Sequence, residues 1–220
     1  MTATTTTTTT TTRTETRHIV CVVDDDPGMR KSLAMVLDSA DLPVRLYAGA
    51  DEMIGDFSCK ASRDCCGCVL LDLQMPGMTG IELLRRFREM GYDAPVIVVT
   101  GTATVLSAVE SMKLGAIDFL EKPIDHRTLL NKVQQALAAY AAKRAEASEV
   151  EAIRLRMANL TDRELELVRF VVSGLANKQI ATEMGISIKT VANHRANLMA
   201  KTGALNAADL VRMSMIAEIV

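Results

Sequence analysis

Five short apolar runs rich in branched side chains, separated by stretches of helical period, fill the first two thirds of this chain and leave few folds open to it. The runs are residues 19–23, 44–47, 68–72, 96–100 and 117–120, and helices are expected near 29–40, 50–57, 81–89, 105–114 and 127–139. A short run that is apolar throughout suits a strand buried on both faces, and strands alternating with helices build a parallel sheet wrapped by those helices. The expected fold over residues 18–139 is an α/β doubly wound five-stranded parallel sheet.

A different pattern follows. Residues 138–157 are rich in Ala, Glu and Arg and hold neither Gly nor Pro, which predicts a helical linker over 140–159. Within it Val150, Ile153 and Met157 form a narrow stripe that could meet a partner helix but is too short to define a coiled coil. Leu160-Thr161-Asp162-Arg163-Glu164-Leu165 then starts a new helix, with Thr161 as N-cap, Glu164 closing a capping box and Leu160 stapling to Leu165. Helices at 162–172, 177–184, 187–202 and 207–217, with Gly174, Gly185 and Gly203 marking ends, make 160–220 a small all-α domain. Residues 1–17, mostly threonine, cannot offset their ordering entropy by burial and are expected to be a disordered tail or a mis-assigned start.

The 220 residues carry 25 Lys and Arg against 27 Asp and Glu, which argues against a protein that coats nucleic acid by bulk charge. Locally the balance reverses: between Ser173 and Gly203 four cations (Lys178, Lys189, Arg195, Lys201) face one acid, Glu183. No apolar run approaches the roughly 20 residues of a membrane span and no secretory signal is seen, so a cytoplasmic protein without membrane association is expected. A reduced state is then expected for the cysteines. Cys21 and Cys68 read as small core residues, and Cys65-Cys66-Gly67-Cys68 lacks the spacing of a zinc site.

In open parallel sheets, ligands bind beyond the carboxyl ends of the strands. There the first strand ends in Asp24, Asp25 and Asp26, the third in Asp72, the fourth in Thr100 and the fifth in Glu121-Lys122-Pro123. Turn chemistry explains each of these aspartates singly, but not their joint occurrence at one edge. Three carboxylates at adjacent strand ends repel one another unless a cation neutralises them, and Mg²⁺ prefers such hard oxygens and bridges to phosphate. A carboxylate beside that metal can attack a phosphoryl donor, with Lys122 steadying the transferred oxygens and the Thr100 hydroxyl donating to them.

The motifs VVDDD (22–26), LLDLQMPGMTG (70–80), VVTGTA (98–103) and DFLEKP (118–123) resemble those of CheY-like receiver domains. The resemblance implies that Asp24 and Asp25 form the metal pocket, that Asp72 is phosphoacceptor and metal ligand, and that the Gln74 backbone carbonyl completes the protein ligands of Mg²⁺. It also implies Thr100 and Phe119 as a switch pair, Phe119 moving inward as Thr100 turns to the phosphoryl group, and a cis Lys122-Pro123 bond. Alone, Phe119 would read as a core aromatic. Gln74 and Thr102 occupy positions that tune dephosphorylation in receivers. Haloacid-dehalogenase-like phosphatases, which also form an aspartyl-phosphate, place a second aspartate where Gln74 stands, which argues against a turnover enzyme.

Residues 177–201 have helix-turn-helix spacing: a short helix, a turn at Gly185-Ile186 and a longer helix capped by Ser187. On the second helix Ile188, Val191, Leu198 and Met199 are spaced to pack inward, and Lys189, Asn193, Arg195 and Asn197 to face outward. Such a face suits a major groove; a dimerisation module with a solvated charged face is the other reading. LTDRELELV, GLANKQIATEMGISIKTVANHRANLMAKTGA and AADLV resemble the LuxR/NarL-type helix-turn-helix across nearly all of 160–211. The whole chain resembles FixJ-type response regulators, a subgroup that RKSL (30–33) and HRANLMAK (194–201) also fit.

That resemblance implies that Thr190, Ala192, Asn193, Arg195 and Ala196 approach bases, and that Lys178, Lys189, Asn197 and Lys201 contact phosphate or sugar. His194 either touches the DNA backbone or packs. Ala192-Asn193 departs from the charged or branched pair frequent in relatives and is expected to shift sequence preference. The implied function is a DNA-binding response regulator of a two-component system, self-phosphorylating rather than a turnover enzyme. A sensor histidine kinase would phosphorylate Asp72, reshape the surface around 105–114, 117–120 and 127–139, and favour a homodimer on double-stranded promoter DNA, with RNA polymerase a further partner. Two other readings stay open: oxidation at Cys59, Cys65 or Cys66 or constitutive dimerisation as the trigger, and an aspartyl-phosphate phosphatase.

Overall fold

The computed structural model describes residues 18–57, 65–101 and 104–219; the threonine-rich stretch, Cys59 and Thr102 lie outside them. The chain divides into two compact units, one within Met1–Ala141 and the other within Ala142–Val220.

In the first unit β1 (Ile19–Val23), β2 (Val44–Tyr47), β3 (Cys66–Leu71), β4 (Val96–Thr100) and β5 (Asp118–Glu121) form one parallel sheet, ordered β2-β1-β3-β4-β5. The winding reverses between β1 and β3, which opens a crevice at their carboxyl ends. Central β3, apolar at all positions, is buried throughout, whereas the mixed VRLY of β2 takes an edge. Helix α1 (Pro27–Asp38) and the first part of α5 (His126–Ala158) cover one face through Leu33, Leu37, Leu129 and Val133. Helices α2 (Ala50–Phe57) and α3 (Gly80–Glu89) cover the other through Met53, Phe57, Leu83 and Phe87. Helix α4 (Val105–Lys113) buries only Ser111 and turns several apolar side chains to solvent.

The third strand starts earlier than the apolar run suggests. Cys66 pairs with Ile19 and Cys68 with Val20, so Gly67 is an extra residue in the register. A Cβ on Gly67 would lie 2.2 Å from the Cβ of His18, and only glycine lets the two segments pass this closely. The fifth strand is shifted by one residue, leaving Ile117 half-exposed before it.

The second unit contains α6 (Asp162–Val172), α7 (Asn177–Met184), α8 (Ile188–Thr202) and α9 (Ala207–Ile216). Leu167, Val168, Ile180, Val191, Leu198 and Leu210 make its core, joined by Ile153 and Met157 from the end of α5. Two of the three stripe residues, Ile153 and Met157, thus pack into the core of their own unit, while Val150 is half-buried outside it. Residues 140–158 are helical as the continuation of α5, with no break after 139. Thr161 accepts the Glu164 amide while Glu164 returns to the Thr161 amide, the expected capping box, and Ser187 caps α8. Gly185, at φ 67°, makes the turn between α7 and α8. Ile188 is a correction: placed first in α8, ahead of where the helix meets the core at Val191, it is 52% exposed.

Candidate functional site

Strand ends β1, β3 and β5 bring Asp24, Asp25, Asp72 and Lys122 together. Oxygens of the three carboxylates lie within 4.8 Å of one another, with Asp24 and Asp72 buried and Asp25 open to solvent. The Lys122 ammonium donates to Asp24 Oδ2 and to Asp72 Oδ2, at 2.6 Å each. The second oxygen of Asp72 accepts the Gln74 amide at 3.1 Å, and that of Asp24 accepts the Asp26 amide at 2.9 Å. Burial pushes the Asp24 carboxyl above its usual range, against the downward pull of Lys122. For Lys122, burial works downward, but hydrogen bonds and charge from Asp24 and Asp72 outweigh it and hold the ammonium above its usual range. One cation among three carboxylates leaves net negative charge, and these hard oxygens suit a small divalent cation such as Mg²⁺.

The remaining residues of the set sit beside this cluster. Thr100 is wholly buried at the end of β4. Val98 pairs with Phe119 and Thr100 with Glu121, so strand alternation puts Thr100 and Phe119 on the same face of the sheet. Phe119 is partly buried against the α2–α3 core. The Lys122 amide donates to the Thr100 carbonyl at 2.9 Å, and Lys122-Pro123 is cis. Asp26 serves elsewhere, capping α1 by accepting the Gly28 amide at 2.8 Å.

Two contributors were not singled out from the sequence. The Arg30 guanidinium donates to the Asp24 backbone carbonyl at 2.6 Å and so pins the loop carrying the acids; a basic residue in the first turn after an acidic cluster is the signal. Gly80 starts α3 so close to the loop after β3 that a Cβ would lie 2.2 Å from the Asp72 carbonyl oxygen. The glycine closing the PGMTG run marked that position.

In the second unit α8 exposes Lys189, Ala192, Asn193, His194, Ala196, Asn197 and Lys201, with Thr190 and Arg195 half-buried, and Lys178 is exposed on α7. His194 is therefore not a packed histidine. Several of these groups are already engaged: the Thr190 hydroxyl lies 2.8 Å from that of Ser187, and Arg195 Nη1 donates to Asn177 Oδ1 at 3.1 Å. Lys201 donates to Glu164 Oε2 at 2.6 Å, an ion pair that ties α8 to α6. Cys21, Cys66 and Cys68 are buried free thiols, Cys65 is half-buried, and burial pushes the Cys68 thiol up, away from thiolate chemistry. Among the described residues, the aspartate triad is the group of His, Cys, Asp and Glu that could hold a metal.

The family model of the response regulator receiver domain matches residues 20–134, and that of bacterial regulatory proteins of the luxR family matches 158–214. The chain belongs to the response regulators that join a receiver to a luxR-family DNA-binding domain, which are transcriptional regulators of two-component systems. Within that class it is similar to the transcriptional regulatory protein FixJ of Azorhizobium caulinodans, 40% identical over 200 residues that cover 91% of this chain and 93% of FixJ. It is also 40% identical to the C4-dicarboxylate transport transcriptional regulatory protein DctR of Rhodobacter capsulatus, over 89% of this chain and 98% of DctR. The response regulator StyR superimposes with a TM-score of 0.80 at 34% identity, covering 90% of this chain and 98% of StyR. Full-length FixJ from B. japonicum gives 0.55 at 36% identity, covering 93% and 98%. Among the described residues no helix is long and apolar enough to cross a membrane.

Proposed function

We propose that Asp72 accepts a phosphoryl group from a sensor histidine kinase in the cytoplasm, and that this event governs binding of promoter DNA by α8. The observation that carries the reading is the Lys122 ammonium, 2.6 Å from both Asp24 and Asp72 at the switch point of the sheet. Asp24, Asp25, Asp72 and the Gln74 carbonyl would hold Mg²⁺, which neutralises charge on phosphoryl oxygens. A carboxylate oxygen of Asp72 bonds to phosphorus as the phosphorus–nitrogen bond of the donor breaks and its imidazole leaves. Lys122 then exchanges its contact with Asp72 for a phosphoryl oxygen. Thr100 donates its hydroxyl to another, and Phe119, on the same face, moves into the space that Thr100 leaves.

The downstream part of the reading rests on two surfaces. Helix α4 and the residues before β5 expose Val105, Leu106, Val109, Met112 and Ile117, an apolar face suited to a second phosphorylated copy. On α8, Thr190, Ala192, Asn193, Arg195 and Ala196 approach bases, while Lys189 and Asn197 of α8 and Lys178 of α7 contact phosphate or sugar. Lys201 first has to leave Glu164 to join them. RNA polymerase is the partner next in line on a promoter. The phosphorylation step is tested by intact mass after exposure to a small acyl phosphate. One phosphoryl group per chain is expected with Mg²⁺, and none after chelation or in Asp72→Asn; uptake by that variant, or continuous donor hydrolysis, contradicts the reading.

A further inference from the structure

The first residue of α7 and the middle of α8 share a contact that the DNA-binding reading does not use. Asn residues favour the N-cap position, where the side chain accepts a backbone amide. In α7 the N-cap is instead Ala176, which makes no side-chain cap, and its own amide is taken by the Gln179 side chain at 2.9 Å. Asn177 stands one residue further on, and its Oδ1 accepts Arg195 Nη1 at 3.1 Å, across 18 residues of sequence. Both partners are half-buried, so the contact is shielded from competing water on part of its surface.

A neutral acceptor suits the task of aiming a guanidinium. An aspartate here would pair with Arg195 and cancel its charge, whereas an amide oxygen fixes the guanidinium plane while leaving the cation intact. Arginine has five N–H donors in a rigid fork, and one contact to Asn177 leaves the others for a base edge. We propose that Asn177 is a positioning residue that orients the Arg195 guanidinium and thereby sets base preference at the position Arg195 reads; this rests on the reading of α8 as the DNA-contacting helix. Asn177 itself needs no contact with DNA.

The test is selection of bound sequences from a random DNA pool by the full chain with a phosphoryl donor, for wild type, Arg195→Ala, Asn177→Ala and the double variant, with salt titrations of binding. Arg195→Ala is expected to flatten one base position by roughly tenfold to hundredfold, the range of a good bidentate contact. Asn177→Ala should flatten that same position by roughly twofold to tenfold, the scale of one hydrogen bond, with the salt slope unchanged. The double variant should be no flatter than Arg195→Ala alone. Asn177→Leu, which removes the acceptor but keeps most of the volume, should flatten the same position and carries the test if Asn177→Ala does not fold, an unaltered profile again counting against the proposal; Asn177→Asp, which retains the acceptor, should keep the base profile. An unaltered profile in Asn177→Ala, a uniform loss of affinity with a shallower salt slope, or additive effects in the double variant would overturn the proposal alone. Wild type that enriched no sequence would overturn the DNA reading and this proposal together.

Discussion

A single carboxylate oxygen of Glu164 accepts hydrogen bonds from the Lys201 ammonium, the Thr161 amide and the Thr161 hydroxyl, at 2.6, 2.8 and 3.0 Å. Lys201 foremost, and then the Thr161 amide, holds this carboxyl below its ordinary range. A carboxyl whose pKa is lower in the folded chain stabilises it above the unfolded value of about 4.5 and loses that contribution as pH falls through the lowered one. Glu164→Gln should therefore weaken the second unit at neutral pH and flatten its loss of stability on acidification, read from thermal unfolding between about pH 6 and pH 3. An unchanged acid limb would contradict this. At the same scale, the acidic site was legible because Asp24, Asp25, Asp72, Thr100 and Lys122 all fall at ends of apolar runs, where parallel strands deliver them to one edge. The contacts of Lys201 with Glu164 and of Arg30 with the Asp24 carbonyl were not, because long flexible side chains choose partners by three-dimensional proximity that periodicity does not encode.

Helix α5 carries two apolar side chains, two residues apart, with opposite surroundings: Ile153 is 1% exposed and Leu155 is 59% exposed. Ile153→Ala should cost about 2–5 kcal/mol in the second unit, the range for truncating a well-packed aliphatic side chain. Leu155→Ala should stay within about 0.5 kcal/mol. Denaturant unfolding of the full chain, followed at the second unit, separates the two; equal costs would mean that the end of α5 does not belong to that core. Of the stripe Val150, Ile153 and Met157, the last two are buried and Val150 is half-buried, and the period could not name what buries them. The third strand was missed at its start for a related reason: the branched apolar run begins after Gly67, and the glycine inside the strand is explained by the close passage of His18 and Leu137. Elsewhere the elements followed from apolar runs and caps, Thr161 and Ser187 marking the starts of α6 and α8 as drawn from sequence.

At the level of the molecule, the proposed output of phosphorylation is association of two chains and hence of two DNA-contacting helices. Val105 and Leu106 are 81% and 83% exposed on α4, more apolar surface than a solitary helix has reason to show. Changing both to Asp should leave phosphoryl uptake at Asp72 intact and abolish donor-dependent dimerisation in sedimentation velocity; a variant that still dimerised would place the contact elsewhere. The central claim, that chemistry at Asp72 governs DNA binding, is tested most directly by measuring affinity for one selected DNA site with and without a phosphoryl donor, in wild type and in Asp72→Asn. A donor-dependent gain of roughly 5- to 150-fold is expected in wild type, the usual span of coupling between two sites, and no gain in Asp72→Asn. An equal gain in both proteins would contradict it.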